Sequence, residues 1–342
     1  MKTHELIDIG SSVLKAHLLK RSYPLNVVLT VTTRCNFRCQ YCKIWARNEK
    51  DMSLDEIISL INELSINGTK RLSFYGGEPL LREDIGEIID YGKKKGLFLT
   101  INTNGFLLEQ NLDKIRKIDI ITLSFDGSPE IHDSQKYKGA YENLMRAIKV
   151  SRKEKIQVWT TTTLTKNNID QIDFILNKSR ELDFFTNFQL VHHPPAASGD
   201  ANWLIPSAEE YRKAILKLIE NKRLNKTRII NSLEYFKALY NWPDYHKPCY
   251  PSKENNFTKN VKCWAGKLFC HIDSNGDLYA CHQHLKKIKT YNILDGGFLK
   301  AFKNIQKIDC EICLAGDYLE YNLLFSLHLG AVYNTLRWRL NL

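Results

Sequence analysis

Thr33-Arg-Cys-Asn-Phe-Arg-Cys-Gln-Tyr-Cys-Lys43 sets three cysteines, Cys35, Cys39 and Cys42, at C-x3-C-x2-C spacing, directly after the apolar, β-branched run Val27–Val31. Three thiolates on one loop can hold three irons of a [4Fe–4S] cluster, whose usual protein complement is four. The missing fourth ligand leaves one iron open, as in a reactive cluster. A structural zinc site would want a fourth Cys or His close by at two-pair spacing, and the neighbouring sequence supplies none.

Outward from that loop, short β-branched runs alternate with charged, helix-period segments. Val27–Thr32, Arg71–Tyr75, Leu97–Asn102, Ile118–Phe125, Gln157–Leu164 and Phe185–Val191 read as strands. Ser53–Leu64 (capped by Ser53), Arg82–Lys94, Gly139–Lys153 and Ile169–Leu182 read as helices. This alternation argues for parallel βαβ units, and six strands suit a partial barrel better than the closed eight-unit form. The rhythm breaks after Pro194-Pro195. Ser207–Leu224 reads as a helix, Trp242–Lys259 as a connector, and Cys263–Cys313 as a cysteine-rich segment. The expected divisions are an amphipathic helix (1–23), the barrel (24–200), a helical linker (201–255), a small cysteine domain (256–316) and an apolar, basic helix (317–342).

The chain has 342 residues, 43% of them hydrophobic, ample for a packed core. Nine cysteines are too sparse for a disulfide scaffold, and their clustering argues for metal in a reducing compartment. No secretory signal pattern opens the chain, and no apolar run reaches the ~18 residues of a membrane span. The expected location is the cytoplasm, with contact at a membrane surface as an option. The net charge of +11 is spread over many segments. No basic block is interleaved with aromatics, so nucleic acid is not expected as a partner.

In barrels of parallel strands the chemistry gathers where strands end. The second strand ends in Gly76-Gly77-Glu78-Pro79 and the third in Asn102-Thr103-Asn104-Gly105. The fourth ends in Ser124-Phe125-Asp126-Gly127, followed by His132-Asp133, and His192 and His193 close the sixth. Later, Phe269–Ile272 and Leu278–Ala280 read as a hairpin turning at Asn275-Gly276, which can bring Cys263 and Cys281 together. Cys310-Glu-Ile-Cys313 adds a C-x-x-C pair. Four thiolates can complete a closed cluster or a zinc site, and chemistry alone favours neither.

Taken together, the first cysteine run, Gly-Gly-Glu-Pro, Ser-x-Asp-Gly and the later cysteines resemble the radical S-adenosylmethionine (SAM) superfamily in its SPASM/twitch branch, over roughly residues 25–315. The resemblance implies an α/β fold, a partial (β/α)6 TIM-like barrel with a small C-terminal auxiliary-cluster domain. It implies a [4Fe–4S] cluster whose open iron takes SAM, and reductive cleavage of SAM to a 5′-deoxyadenosyl radical that abstracts hydrogen from substrate. Gly76, Gly77 and Glu78 would meet the SAM amino group, and Asn104 belongs to the matching TNG run. Ser124 and Asp126 would face the ribose and methionine part, and Tyr41 the adenine. Lys136 stands where the family often has Arg, so it can pair with a carboxylate only as a point charge.

The run C-x12-G-x4-C from Cys263 to Cys281 resembles the twitch opening. It implies one auxiliary [4Fe–4S] cluster on Cys263, Cys281, Cys310 and Cys313, with Cys249 and Cys270 left over. His282 stands where sulfatase-maturing relatives carry an acidic general base, and an imidazole can do that task. The implied electron donor is a small protein such as ferredoxin or flavodoxin.

Substrate is the open term. Leu319–Leu342 and Ile7–Arg21 are apolar and amphipathic. They read either as core helices or as interfacial ones, with Trp338, Arg337 and Arg339 at head-group level. This favours a lipid, isoprenoid or other hydrophobic small molecule modified at an unactivated C–H bond. A peptide- or protein-modifying maturase is the alternative, set lower because about 25 residues before the barrel are too few for a leader-binding domain. An iron–sulfur electron carrier is the distant third, and Gly-Gly-Glu-Pro argues against it.

Overall fold

Gln157–Leu164 shows how this sequence builds its sheet. Its β-branched residues favour extended backbone, and successive side chains point to opposite faces. Val158, Thr160, Thr162 and Leu164 are buried against helices, while Trp159, Thr161 and Thr163 are only half-buried on the opposite face. The computed structural model describes residues 3–191, 202–224, 228–251, 257–288, 290–308 and 310–340. His192 and His193, and the side chains of Trp338 and Arg339, lie outside the described set.

The first half of the chain runs α1 (Thr3–Leu19), β1 (Asn26–Thr32), α2 (Leu54–Ile66), β2 (Arg71–Gly76), α3 (Ile85–Lys94), β3 (Phe98–Thr103), α4 (Leu108–Ile115), β4 (Ile120–Ser124), α5 (Pro129–Gln135), α6 (Ala140–Lys153), β5 (Gln157–Leu164), α7 (Ile172–Glu181) and β6 (Phe185–Leu190). The second half runs α8 (Ala208–Arg223), α9 (Leu233–Tyr240), β7 (Cys249–Tyr250), β8 (Phe269–Ile272), β9 (Asp277–Tyr279), β10 (Tyr291–Asn292), α10 (Phe298–Ile305), β11 (Ile312–Cys313), α11 (Gly316–Phe325) and α12 (Leu329–Leu340).

β1 to β6 pair in sequence order, each pair parallel. The helices between them pack on the outside, through Ile57, Ile61, Ile88, Ile89, Leu144 and Ile175 among others. This is the α/β partial barrel. Local signals set the helix starts. Ser53 accepts from the Glu56 amide while Glu56 reaches back to the Ser53 amide, a capping box. Ser207 and Glu210 repeat it at α8.

The hairpin of the cysteine-rich segment is not set apart from the barrel. β8 pairs parallel with β1, Val27 opposite Cys270 and Val28 opposite His271, so one sheet of nine strands runs β10-β9-β8-β1-β2-β3-β4-β5-β6. His271 is 5% exposed and shares a hydrogen bond of 2.9 Å with Thr30 on β1. Burial, outweighing the pull of Asp273, pushes its pKa from 6.5 down to about 4. A neutral His in the folded state contributes stability that is present above pH 6.5 and is lost as pH falls toward 4. Two and a half units correspond to about 3 kcal/mol. His271→Gln keeps a hydrogen-bonding group and cannot charge. Its urea unfolding free energy is expected to fall less steeply than the wild type's between pH 7 and pH 4.5.

At the C-terminus the expected single helix is two. The chain turns at Leu327, with φ of 60°, between α11 and α12. α11 buries Leu319, Leu323 and Phe325. α1 packs Val13 and Ala16 into the same apolar cluster as Trp264, Phe269 and Phe325, and His17 bonds the Phe325 carbonyl at 2.7 Å. Among the described residues no helix is long and apolar enough to cross a membrane.

Candidate active site

The cysteine loop is held from three sides. Phe37 packs edge-on against Tyr137, ring centroids 4.5 Å apart, and Phe106 closes the trio; such aromatic pairs contribute about 0.5–1.5 kcal/mol each. The Gln40 amide donates to the Gln135 carbonyl, and its side chain to that of Ser134. Arg38 stacks on Trp45. Cys35, Cys39 and Cys42 are all half-buried on this loop. The Phe37 amide donates to Cys35 Sγ at 3.4 Å, and Lys136 Nζ lies 3.9 Å from Cys39 Sγ. Burial pushes the Cys35 thiol up to about 11. Iron is a fitting partner for such a set, because bound metal takes the thiolate form and supplies the missing positive charge.

Gly76 and Gly77 lie against that loop because nothing larger fits. The amides of Gly77 and Glu78 donate to the carbonyls of Thr32 (2.9 Å) and Arg34 (2.8 Å). A Cβ on Gly77 would overlap the Arg34 carbonyl and stand 2.7 Å from Thr33 O. Gly77→Ala is expected to cost about 1–3 kcal/mol by overpacking and to lower the iron bound per chain on reconstitution. Gly10→Ala, where a Cβ meets nothing within 4 Å, is the control that should leave iron content unchanged.

The other strand-end residues form two buried networks. Glu78 is fully buried and accepts from Leu80 N (3.0 Å), Thr103 Oγ1 (2.7 Å) and Asn104 N (2.9 Å). Burial still pushes its pKa up to about 7 against those donors. Asn104 ties the β3 end to the cysteine loop by donating to Asn36 Oδ1 at 2.8 Å. In the second network Asp126, 1% exposed, pairs with Lys136 Nζ at 2.9 Å and accepts from Tyr41 OH at 3.2 Å. Lys136 also bonds Tyr41 OH. Burial works against the ammonium, yet Asp126, Cys39 and Tyr41 hold it protonated well above its usual range. Ser124 is half-buried at the end of β4. Glu78, Asp126 and Lys136 thus spend most of their polar atoms on protein partners. They brace the loop, and Gly76 lines the cavity beside it.

Cys42, Tyr41 and Gly76 open on a cavity of about 290 Å3 that His282, Tyr318, Asp317 and Gln189 also line. His282 stacks on Tyr318 with centroids 4.8 Å apart and bonds Gln283 Nε2. Asp317 accepts from Tyr75 OH at 3.0 Å. Tyr75 precedes the two glycines and Asp317 lies four residues past Cys313, so this hydrogen bond joins the Gly-Gly-Glu segment to the later cysteine segment. Sequence reading missed both residues. The adjacency of Tyr75 to Gly76 was the available signal, while Asp317 gave none.

Cys263, Cys281, Cys310 and Cys313 converge on a separate cavity of about 140 Å3, and Cys249 joins them. β7 and β11 pair with Cys249 opposite Cys313, and hydrogen bonds join Cys249 to Cys313 and Cys263 to Cys310. Burial, reinforced by Cys310, pushes Cys281 up to about 12. This sulfur-lined space fits a thiolate-bound metal group. Cys270 is not part of it. It faces the main core on β8, fully buried, its thiol pushed up by burial. Cys249 and Cys270, paired as leftovers in the sequence, therefore have different surroundings.

Residues 29–178 match the Radical SAM superfamily. The chain thus carries a Radical SAM domain, and SPASM-type maturases are among the proteins it is similar to. It is 30% identical over 227 residues to the Fe-coproporphyrin III synthase of Methanosarcina barkeri, covering 62% of this chain and 56% of that protein; the chain thus spans little more than half the length of that relative. It is 25% identical to the mycofactocin maturase MftC of Mycolicibacterium smegmatis, over 82% of this chain and 70% of that one. Among solved structures, SuiB of Streptococcus suis bound to its precursor peptide SuiA superposes with a TM-score of 0.68 at 15% identity, covering 93% of this chain and 76% of that chain. The family implies a [4Fe–4S] cluster and SAM.

Proposed function

We propose that the chain modifies a peptide or protein substrate by radical SAM chemistry, with one cluster on Cys35, Cys39 and Cys42 and an auxiliary one on Cys263, Cys281, Cys310 and Cys313. Bound there, the first cluster and SAM would supply the chemistry of removing a hydrogen atom from substrate. The chain's own residues hold and shield. The Gly76-Gly77 backbone and the Asp126–Lys136–Tyr41 network orient SAM beside the loop, and Tyr318 and Leu285 exclude water. His282, next to Cys281 in sequence and lining the same cavity as Cys42, takes the proton that substrate releases. The reductant is a small electron donor such as ferredoxin or flavodoxin, whose docking a net charge of +11 assists if the donor is acidic.

The observation that carries the peptide reading is the character of the barrel lumen. Asn102, Thr122, Thr161, Thr163, Asn187 and Gln189 face it. Side-chain amides and hydroxyls both donate and accept, which suits peptide groups, while Val28, Val191 and Leu285 in the same lining suit apolar side chains. The isoprenoid or lipid expectation gains no support from it. The likeness to a maturase and to the fold of a peptide-bound enzyme points the same way. A tetrapyrrole is the second reading, favoured by the synthase relative.

Anaerobic reconstitution should yield about eight irons per chain. Peptides encoded beside the gene should then raise 5′-deoxyadenosine formation several-fold, with a matching mass change in the peptide. Stimulation by iron coproporphyrin III in place of any peptide would overturn the peptide reading.

A further inference from the structure

The lumen continues below the active-site cavity into a second space of about 470 Å3, and Tyr75, Asn102, Thr161, Asp317 and Tyr321 line both. Arg71, the first residue of β2, projects into this lower space on the same strand face as Ser73 and Tyr75. One of its terminal nitrogens donates to Tyr321 OH at 2.8 Å, and the other reaches Thr100 Oγ1 at 3.5 Å. Its Nε is buried with no hydrogen-bond partner, as is Nε1 of Trp159, which lines the same space. Among the described residues no carboxylate lies within salt-bridge distance of Arg71. Both unpaired groups are donors only. A half-buried guanidinium whose Nε is buried and which has no carboxylate in direct contact is costly to leave so, so the missing partner is an anionic acceptor.

Two acids also line this space, and neither fills that role. Asp317 takes the Tyr75 hydroxyl; its charge favours the Arg71 guanidinium but makes no ion pair with it. Glu320 accepts the Ser232 amide with both oxygens, and burial pushes its pKa up to about 7, so near neutral pH its charge is reduced and can be shed by proton uptake when an anion enters.

We propose that Arg71 is a carboxylate anchor at the lower end of the lumen, which takes a substrate that enters carboxylate first. A guanidinium fork matches a carboxylate's two oxygens. Five residues of strand separate Arg71 from Gly76, so the anchor lies about 16 Å from the glycines. The substrate therefore carries its carboxylate at the end of an extended arm, well away from the carbon that loses hydrogen. The inference rests on the lumen being the substrate site, and it deepens the peptide reading by naming a C-terminal or side-chain carboxylate as the group recognised.

Calorimetric titration of the reconstituted enzyme tests it with three probes: N-acetyl-trialanine with a free C-terminus, its carboxamide, and N-acetyl-Ala-Glu-Ala carboxamide. Wild type is expected to bind at least one acid about ten-fold more tightly than the carboxamide, and which acid wins tells C-terminus from side chain. Arg71→Met should erase the acid preference, and Arg71→Lys should retain part of it as a point charge. SAM binding by each variant checks folding. If Arg71→Met fails that check, the wild-type preference and Arg71→Lys decide. Equal binding of acids and carboxamide, no binding of any probe, or an acid preference unchanged in the Arg71 variants would overturn the anchor. An anchor that holds while no peptide is modified would instead overturn the peptide reading alone.

Discussion

Lys136→Met is expected to destabilise the enzyme by about 3–5 kcal/mol, the usual cost of stranding one member of a buried ion pair. Lys136 and Asp126 side chains are 3% and 1% exposed, paired through Asp126 Oδ2, and Asp126 Oδ1 is buried with no hydrogen-bond partner. Without the ammonium, the carboxylate keeps only the Tyr41 hydroxyl, because His132 Nδ1 accepts the Asp126 amide and burial holds that imidazole neutral. The loss should appear as a lower urea midpoint at unchanged slope. Lys136→Met combined with Asp126→Asn should recover most of it, because removing both charges leaves nothing stranded. Iron content should fall in the single variant, since Lys136 touches both Cys39 and Tyr41. A single variant as stable as wild type would show that the pair contributes nothing.

Arg47→Met should be as damaging, by about 3–5 kcal/mol, and its damage should fall elsewhere. Arg47 follows the cysteine loop and pairs with Asp273, whose side chain is 0% exposed. Asp273 heads the turn of the later hairpin and also accepts from the Ser274 amide. Glu49 and Lys286 add a half-buried pair at 3.0 Å across the same junction. Stranding Asp273 loosens the hairpin that positions Cys281. Reconstituted Arg47→Met should therefore bind nearer four irons than eight while keeping the first cysteine set. Loss of both sets together, or of neither, would show that this contact does not separate them.

Features made by neighbours in the chain were legible in the sequence. The capping box at Ser53, the Asn275-Gly276 hairpin and the six alternating strands each depend on residues a few positions apart. Features made by distant segments were not. Nothing local in Phe269–Ile272 says that it will pair with β1, some 240 residues earlier in the chain. Nor does anything near Cys249 say that it will face Cys313. Thr160–Thr163 announces a strand, but four threonines in a row hide which face is polar, so the hydroxyl-lined lumen could not be read. The C-terminal helix looked like a candidate for a lipid surface because its apolar residues have no visible partner in sequence. In the structure Leu319 and Leu323 find theirs in the core.

The pairing of β8 with β1 has a consequence for solubility. A partial barrel has two open edges, and an uncovered strand edge is a template for another chain to pair with. β1 is a poor strand to leave uncovered, since Val27, Leu29 and Val31 are all buried. β8 occupies its backbone groups from Asn26 to Leu29, and the antiparallel β9 and β10 move the sheet edge outward to a strand two residues long. The segment that carries the later cysteines thus also serves as a guard against aggregation. A truncation that removed it would be expected to cost the protein its solubility before its chemistry could be assayed.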